Sequence, residues 1–253
     1  MRGKPIRLSP MRRFICELLH AASAVPTVPV QRRMRLAEVV AARLAQQCRI
    51  PWVALFMKAY AQVAETMPEL RRAYVKFPWP HLYEYPTSVA SLAVEREYAG
   101  EHVVVFGRFK NPAGVPLVEL GRIVDSFGHM PLEECHEFRQ MLRLSTQPWP
   151  LRRLLWWLGL NLPRQRARYF GTFALSVYSG LGAESLHPLS PLTSILNYGV
   201  IAADGAVDVR ICYDHRVMDG ATVARALSRM ESQLTGSLLT ELRSTATRKR
   251  YAA

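Results

Sequence analysis

The segment 207–214 alternates strictly: Val207, Val209, Ile211 and Tyr213 are apolar or aromatic, and Asp208, Arg210, Cys212 and Asp214 stand between them. A period of two marks a β-strand with one buried face, because successive side chains leave opposite sides of the pleat. Just before it, Asp204-Gly205 reads as a two-residue turn that needs positive φ, which predicts a hairpin with a strand over 195–201. Val223, Leu227, Met230 and Leu234 then share one face of a closing helix. Asp219 and Gly220 stand at its start, where a carboxylate suits the free N–H groups of the first turn. A half-buried strand, tied into a hairpin and followed at once by an amphipathic helix, requires a chain that packs helix on sheet.

The rest of the chain fits that frame. Leu36, Val39, Val40 and Leu44 follow helical spacing, as do Val53, Phe56, Ala59, Tyr60 and Val63 after Pro51. A strand pair is predicted from Val89, Ala90, Leu92 and Val94, and from Val103 to Phe106, separated by Tyr98-Ala99-Gly100. Helical spacing returns over 117–124 and 132–142, and 172–177 reads as a further strand. The expected fold is α/β, a mixed β-sheet with helices packed on it.

Among the 253 residues, 33 Lys and Arg face 20 Asp and Glu, for a net charge of +13; 49% are hydrophobic and 21% charged. Such a chain buries a core and is neither disordered nor fibrous. We read a single domain over 1–253, with a basic Trp/Arg-rich segment at 148–170 and a short basic tail at 244–253. Cys16, Cys48, Cys135 and Cys212 form no C-x-x-C pair and have no clustered histidines beside them, so no metal and no disulfide scaffold is expected. The opening Met1-Arg2-Gly3-Lys4-Pro5 leads into no apolar signal run, and no window reaches 18 apolar residues. The expected location is therefore the cytoplasm.

Chemistry points to 213–220, Tyr-Asp-His-Arg-Val-Met-Asp-Gly, where His215 and Asp219 lie four residues apart between the strand and the closing helix. Imidazole accepts a proton near neutrality, which suits a general base. Read alone, the pair is equally a surface histidine beside an N-cap aspartate.

Asp214-His215-Arg216-Val217-Met218-Asp219-Gly220-Ala221 resembles the D-H-R-V-x-D-G-A signature of the acyltransferase core of 2-oxoacid dehydrogenase complexes, and chloramphenicol acetyltransferases share its H-x-x-x-D-G part. In the same order, Gly171-Thr172-Phe173-Ala174-Leu175-Ser176 resembles that family's G-G-T-F-T-I-S strand. Pro188 and Pro191 precede Ile195-Leu196-Asn197-Tyr198-Gly199, much as a proline-rich stretch precedes A-I-L-G-V there. Leu8-Ser9-Pro10-Met11-Arg12-Arg13 is similar to the L-S-G-I-R-K opening, and the 89–94 strand to I-N-I-G-V-A-V.

The resemblance implies a chloramphenicol acetyltransferase-like two-layer sandwich and direct acyl transfer from a thioester to a thiol or hydroxyl acceptor. His215 would take the acceptor's proton, and Ser176 would donate to the tetrahedral oxyanion. Asp219 would organise the site through an arginine, Arg12 or Arg13, with Asp214 and Gly220 as structural support. The family core is a trimer with its site between subunits, so a homotrimer or a multiple of trimers is expected, with His215 and Ser176 supplied by different chains. No lipoyl domain, subunit-binding domain or linker precedes the core in this sequence. Val177 also stands where the family has a polar residue after the serine. The first departure points to a free-standing core using acyl-CoA, or the phosphopantetheine of an acidic acyl carrier protein, as donor; the second bears on substrate identity.

The excess positive charge suits coenzyme A phosphates or an acidic carrier. Nucleic acid shares that electrostatic attraction, yet no zinc-finger spacing, RNA-binding aromatic motif or basic heptad region supports it. In 148–170, Trp156, Trp157, Arg152 and Arg153 suit either a bilayer interface at the inner face of the membrane or a helix whose Leu/Trp face packs on the core while its arginines are solvated. A catalytically silent trimeric scaffold of the same fold is the remaining alternative.

Overall fold

The computed structural model describes residues 3–46 and 49–250, with side chains given to 244. Met1, Arg2, Cys48 and residues 251–253 of the basic tail lie outside the described residues. In chain order the elements are α1 (Pro10–Ala22), β1 (Thr27–Arg35), α2 (Ala37–Leu44), α3 (Trp52–Thr66), β2 (Arg72–Val75), β3 (His81–Glu84), β4 (Val89–Tyr98) and β5 (Glu101–Lys110). There follow α4 (Leu117–His129), α5 (His136–Thr146), α6 (Trp149–Asn161), α7 (Pro163–Tyr169), β6 (Phe173–Ser176), β7 (Ser194–Tyr198), β8 (Ala206–Asp214), α8 (Gly220–Thr235) and α9 (Ser237–Arg250).

Six strands form one sheet in the order β1-β8-β7-β6-β4-β5, and β2 pairs with β3 separately. β4, β6 and β7 run parallel to their neighbours among themselves, while β1–β8, β7–β8 and β4–β5 are antiparallel, so the sheet is mixed as expected. One face carries Phe173, Leu175, Leu196, Tyr198, Val209 and Ile211 into the main core, where Phe56 of α3 stacks on Tyr198 at 4.3 Å and Tyr60 on Phe173 at 4.0 Å. α8 packs on α3, β1 and β8 at the same face. Over the β4–β5 side of the other face, α1 and α6 gather through Phe14, whose ring lies 5.9 Å from Phe106 and 5.1 Å from Trp156.

Several expectations are corrected. β8 is buried on both faces, because its polar side carries Arg210, Cys212 and Asp214 under the 182–192 segment and the β8–α8 turn; Cys212 packs with Ala174, Leu192 and Ile195. The hairpin turn is a three-residue loop: Gly205 N–H donates to Ala202 and Ala202 N–H to Ala206. Only Gly205, at φ +79, takes the left-handed region, whereas a two-residue turn of the tightest type needs two such residues. β7 ends at Tyr198 rather than Ile201, and α5 starts at His136 rather than 132. The edge strand β1 escaped the sequence pattern because Gln31, Arg32, Arg33 and Arg35 face solvent, charges that keep an open edge from pairing with other chains. The tail from Ser237 to Arg250 is helical.

Candidate active site

β8 delivers the 214–219 turn. The Asp214 carboxylate, 1% exposed, accepts the Arg216 backbone N–H at 3.0 Å and its guanidinium at 2.9 and 2.8 Å. Val217 N–H closes the turn on the Asp214 carbonyl at 3.0 Å, and His215 N–H is tied to the Pro26 carbonyl at 3.1 Å. Arg216 then lies over the Tyr74 ring at 4.3 Å, a cation–π contact that holds its side chain on one side. The backbone beneath His215 is thus fixed at three points while its side chain stays half exposed, at 50%. A side chain on so firmly tied a turn keeps its place without the loop having to reorganise.

Asp219 occupies the N-cap position of α8 in extended backbone, but its carboxylate makes no capping hydrogen bond. It turns instead toward His215, with Nδ1 to Oδ1 at 3.6 Å, an ion-pair distance longer than a hydrogen bond. Arg12 pairs with Glu101 at 3.6 Å and Arg13 donates to the Leu8 carbonyl, so within one chain neither reaches Asp219, whose side chain is 82% exposed. Gly220 stands close to the strand, where a Cβ would lie 3.3 Å from the Tyr213 hydroxyl, a tight contact. That hydroxyl's pKa is raised by burial and then by the Asp219 charge, and burial pushes the Cys212 thiol up to about 11, which leaves it an inert core group.

Ser176 ends β6. Gly171, at φ +92, starts the approach to that strand: a Cβ would collide with the Val89 carbonyl at 2.8 Å, so only glycine lets 171–173 lie against β4. The Ser176 hydroxyl donates to the Tyr178 hydroxyl at 3.3 Å, and its carbonyl accepts Asn197 Nδ2 at 2.6 Å. Asn197 is fully buried and its Oδ1 has no hydrogen-bond partner. Sequence reasoning quoted Asn197 only within a strand; a lone amide in an apolar run was the available signal that it positions Ser176.

The two key side chains are not together. One residue beyond the Leu175–Leu196 pair, Ser176 stands level with Asn197 and hence with Arg210, while His215 lies five residues further along β8. At strand dimensions that is roughly 16 Å along the sheet and about 10 Å across it. They stand at opposite ends of the sheet, and the His215 ring lies 5.6 Å from that of Tyr213, which belongs to the core-facing set of β8.

The 148–170 segment divides between its two expected roles. Trp156, 3% exposed, is wedged between Phe14 and Phe170, whereas Trp157 is 46% exposed against Phe77. The arginines are not simply solvated: Arg152 at 2.9 Å and Arg153 at 3.1 Å both meet the buried Glu17 carboxylate. Arg166, deeply buried, donates to the Tyr74 and Pro191 carbonyls, and desolvation lowers its pKa from the ordinary value. Among the described residues no three His, Cys, Asp or Glu side chains gather to hold a metal.

No family model and no curated protein matches the chain. Solved structures do. The dihydrolipoamide acetyltransferase of Azotobacter vinelandii superposes with a TM-score of 0.68 at 18% identity, covering 93% of this chain and 92% of that one. The cubic core of a pyruvate dehydrogenase multienzyme complex gives 0.66 at 16%, covering 93% and 92%. A chloramphenicol acetyltransferase gives 0.53 at 13%, covering 90% and 96%. The fold is therefore that of the chloramphenicol acetyltransferase-like class. Within that class the likeness is to the acyltransferase cores of 2-oxoacid dehydrogenase complexes.

Proposed function

We propose that this chain is an acyltransferase that moves an acyl group from a thioester donor to a thiol or hydroxyl acceptor. The observation that carries the reading is a half-exposed imidazole, locked at the sheet end by Asp214, Arg216 and Pro26, in a fold shared with acetyltransferases. In the Azotobacter acetyltransferase a serine, a histidine and an asparagine have a role in the catalytic mechanism, the asparagine four residues after the histidine, which is the spacing of His215 and Asp219.

In the step, His215 takes the acceptor proton as the acceptor sulfur or oxygen attacks the thioester carbonyl. The carbonyl electrons pass to the oxygen, which receives a hydrogen bond from the Ser176 hydroxyl once that hydroxyl turns from Tyr178. Collapse re-forms the carbonyl, breaks the carbon–sulfur bond and returns the proton from His215 to the departing thiolate. Asp219 orients and electrostatically supports the imidazolium. Because Ser176 and His215 stand at opposite ends of one chain's sheet, the working site takes each from a different subunit of a homotrimer, acting in the cytoplasm on coenzyme A or carrier-protein thioesters drawn by the +13 charge. The exposed Trp149, Trp157, Leu151 and Leu154, with Phe77 against Trp157, favour in addition a peripheral contact with an anionic membrane face.

The test is release of free thiol from acyl-CoA donors with dihydrolipoamide and mixed hydroxyl acceptors, comparing the parent with His215→Ala. Release that depends on His215 is expected; full release by His215→Ala overturns the mechanism, and acyl-CoA binding without turnover favours a silent scaffold.

A further inference from the structure

Beneath α5, α6 and α7 lies a cavity of about 500 Å³, bounded below by the sheet. Its walls are largely hydrocarbon, with Leu18 from α1, Met141 and Leu144 from α5, Leu155 and Leu158 from α6, and Phe170. An engineered apolar cavity of about 150 Å³ already takes up benzene, and small-molecule sites run from about 300 to 1,000 Å³. An acetyl group, with one methyl, has no use for such a space.

The cavity's position ties it to the chemistry. Its floor is Ala174, whose side chain shares a sheet face with Ser176 two residues on, roughly 7 Å along β6. Its far wall includes Ser190, Pro191 and Leu192; the next residue, Thr193, accepts the N–H of Asp214, beside His215. The cavity therefore lies on the sheet face that carries Ser176, two residues from that serine along β6, although neither Ser176 nor His215 lines it. The charge on its rim is already paired, since the Arg108 guanidinium is held by Glu137, Gln140 and the carbonyls of Arg168 and Tyr169; the Gln165 Oε1, which also lines the cavity, has no hydrogen-bond partner. Gly159 lets α6 close against Phe170 at this wall, since a Cβ would stand 2.8 Å from that ring.

We propose that this cavity holds the hydrocarbon chain of the donor, so that the transferred group is a medium- or long-chain fatty acyl group carried as a thioester. The proposal rests on the acyl-transfer reading and specifies its substrate. Each methylene that enters the cavity contributes about 0.8 kcal/mol, close to a fourfold gain in affinity, until the space is full.

Calorimetric binding of saturated acyl-CoAs from acetyl to palmitoyl, kept below their micelle concentrations, tests it alongside the matching free fatty acids. Affinity should climb about fourfold per methylene and then level off. Leu155→Trp, at a half-exposed position on the mouth, should bring the plateau to shorter chains, and Leu158→Ala should move it to longer ones. Equal affinity from acetyl to palmitoyl, or a plateau that neither folded variant moves, overturns the proposal. Equal binding of free fatty acid and thioester overturns the assignment to the donor. Graded binding of the thioesters without thiol release refutes acyl transfer and leaves the cavity's occupant standing; thiol release from acetyl-CoA with a flat series does the reverse.

Discussion

Mixing two inactive variants tests the shared site most directly. Ser176 and His215 are separated by roughly 16 Å along the strands and about 10 Å across them, too far for both to touch one thioester carbonyl. Removing the base in His215→Ala is expected to cost roughly 10²–10⁴-fold, and removing the oxyanion donor in Ser176→Ala roughly 10²–10³-fold. Each pure variant should therefore keep about 1% of parental turnover or less. In a ring whose sites each take the histidine of one chain and the serine of the next, equal mixing leaves about one quarter of the sites with both native side chains. Denaturing the two variants together, refolding them, and assaying thiol release should give about a quarter of the parental rate, more than roughly 20-fold above either variant refolded alone. Light scattering on the same samples should show a trimer or a multiple of it. Activity no higher than the mean of the two pure variants, in samples that do form mixed oligomers, would falsify the split site.

Asp214→Ala removes the acceptor of three hydrogen bonds from Arg216 and frees the His215 turn. Because Arg216 is only partly shielded, the expected loss is about 2–3 kcal/mol, a Tm drop of roughly 4–12 °C, together with slower transfer; an unchanged melting curve and rate would show that the turn holds without it. The two neighbouring tryptophans should behave differently. Trp156→Ala empties a core position and should cost roughly 3–5 kcal/mol in urea unfolding, whereas Trp157→Ala should leave stability nearly intact and weaken co-sedimentation with anionic vesicles. Vesicle binding that survives Trp157→Ala combined with Trp149→Ala would remove 148–170 from the membrane contact.

Much of this protein is written locally. Strict alternation over 207–214, the helical spacing of α3, α4 and α8, and the β4–β5 pair were all legible, because period and turn chemistry are properties of neighbouring residues. So was the ordered set of segments around Ser176 and His215, from which the acyltransferase fold could be expected. Burial, in contrast, depends on what packs against an element. β8 has a polar side that reads as solvent-facing, yet Arg210 and Asp214 are buried there, the first held by Gln31 and the Ser185 carbonyl, the second by Arg216. The arginines of α6 read as solvated until Glu17, more than a hundred residues earlier, is found between them. The charged edge strand β1 carries no apolar pattern and exists because β8 offers its free edge. Sequence by itself nominated His215, Ser176 and Asp219 as the candidates for the chemistry, through side-chain type, local spacing and the resemblance of two ordered segments to an acyltransferase core. Only the tertiary structure decided that Ser176 and His215 stand at opposite ends of one sheet, because their separation is set by strand order and register, which no local pattern encodes.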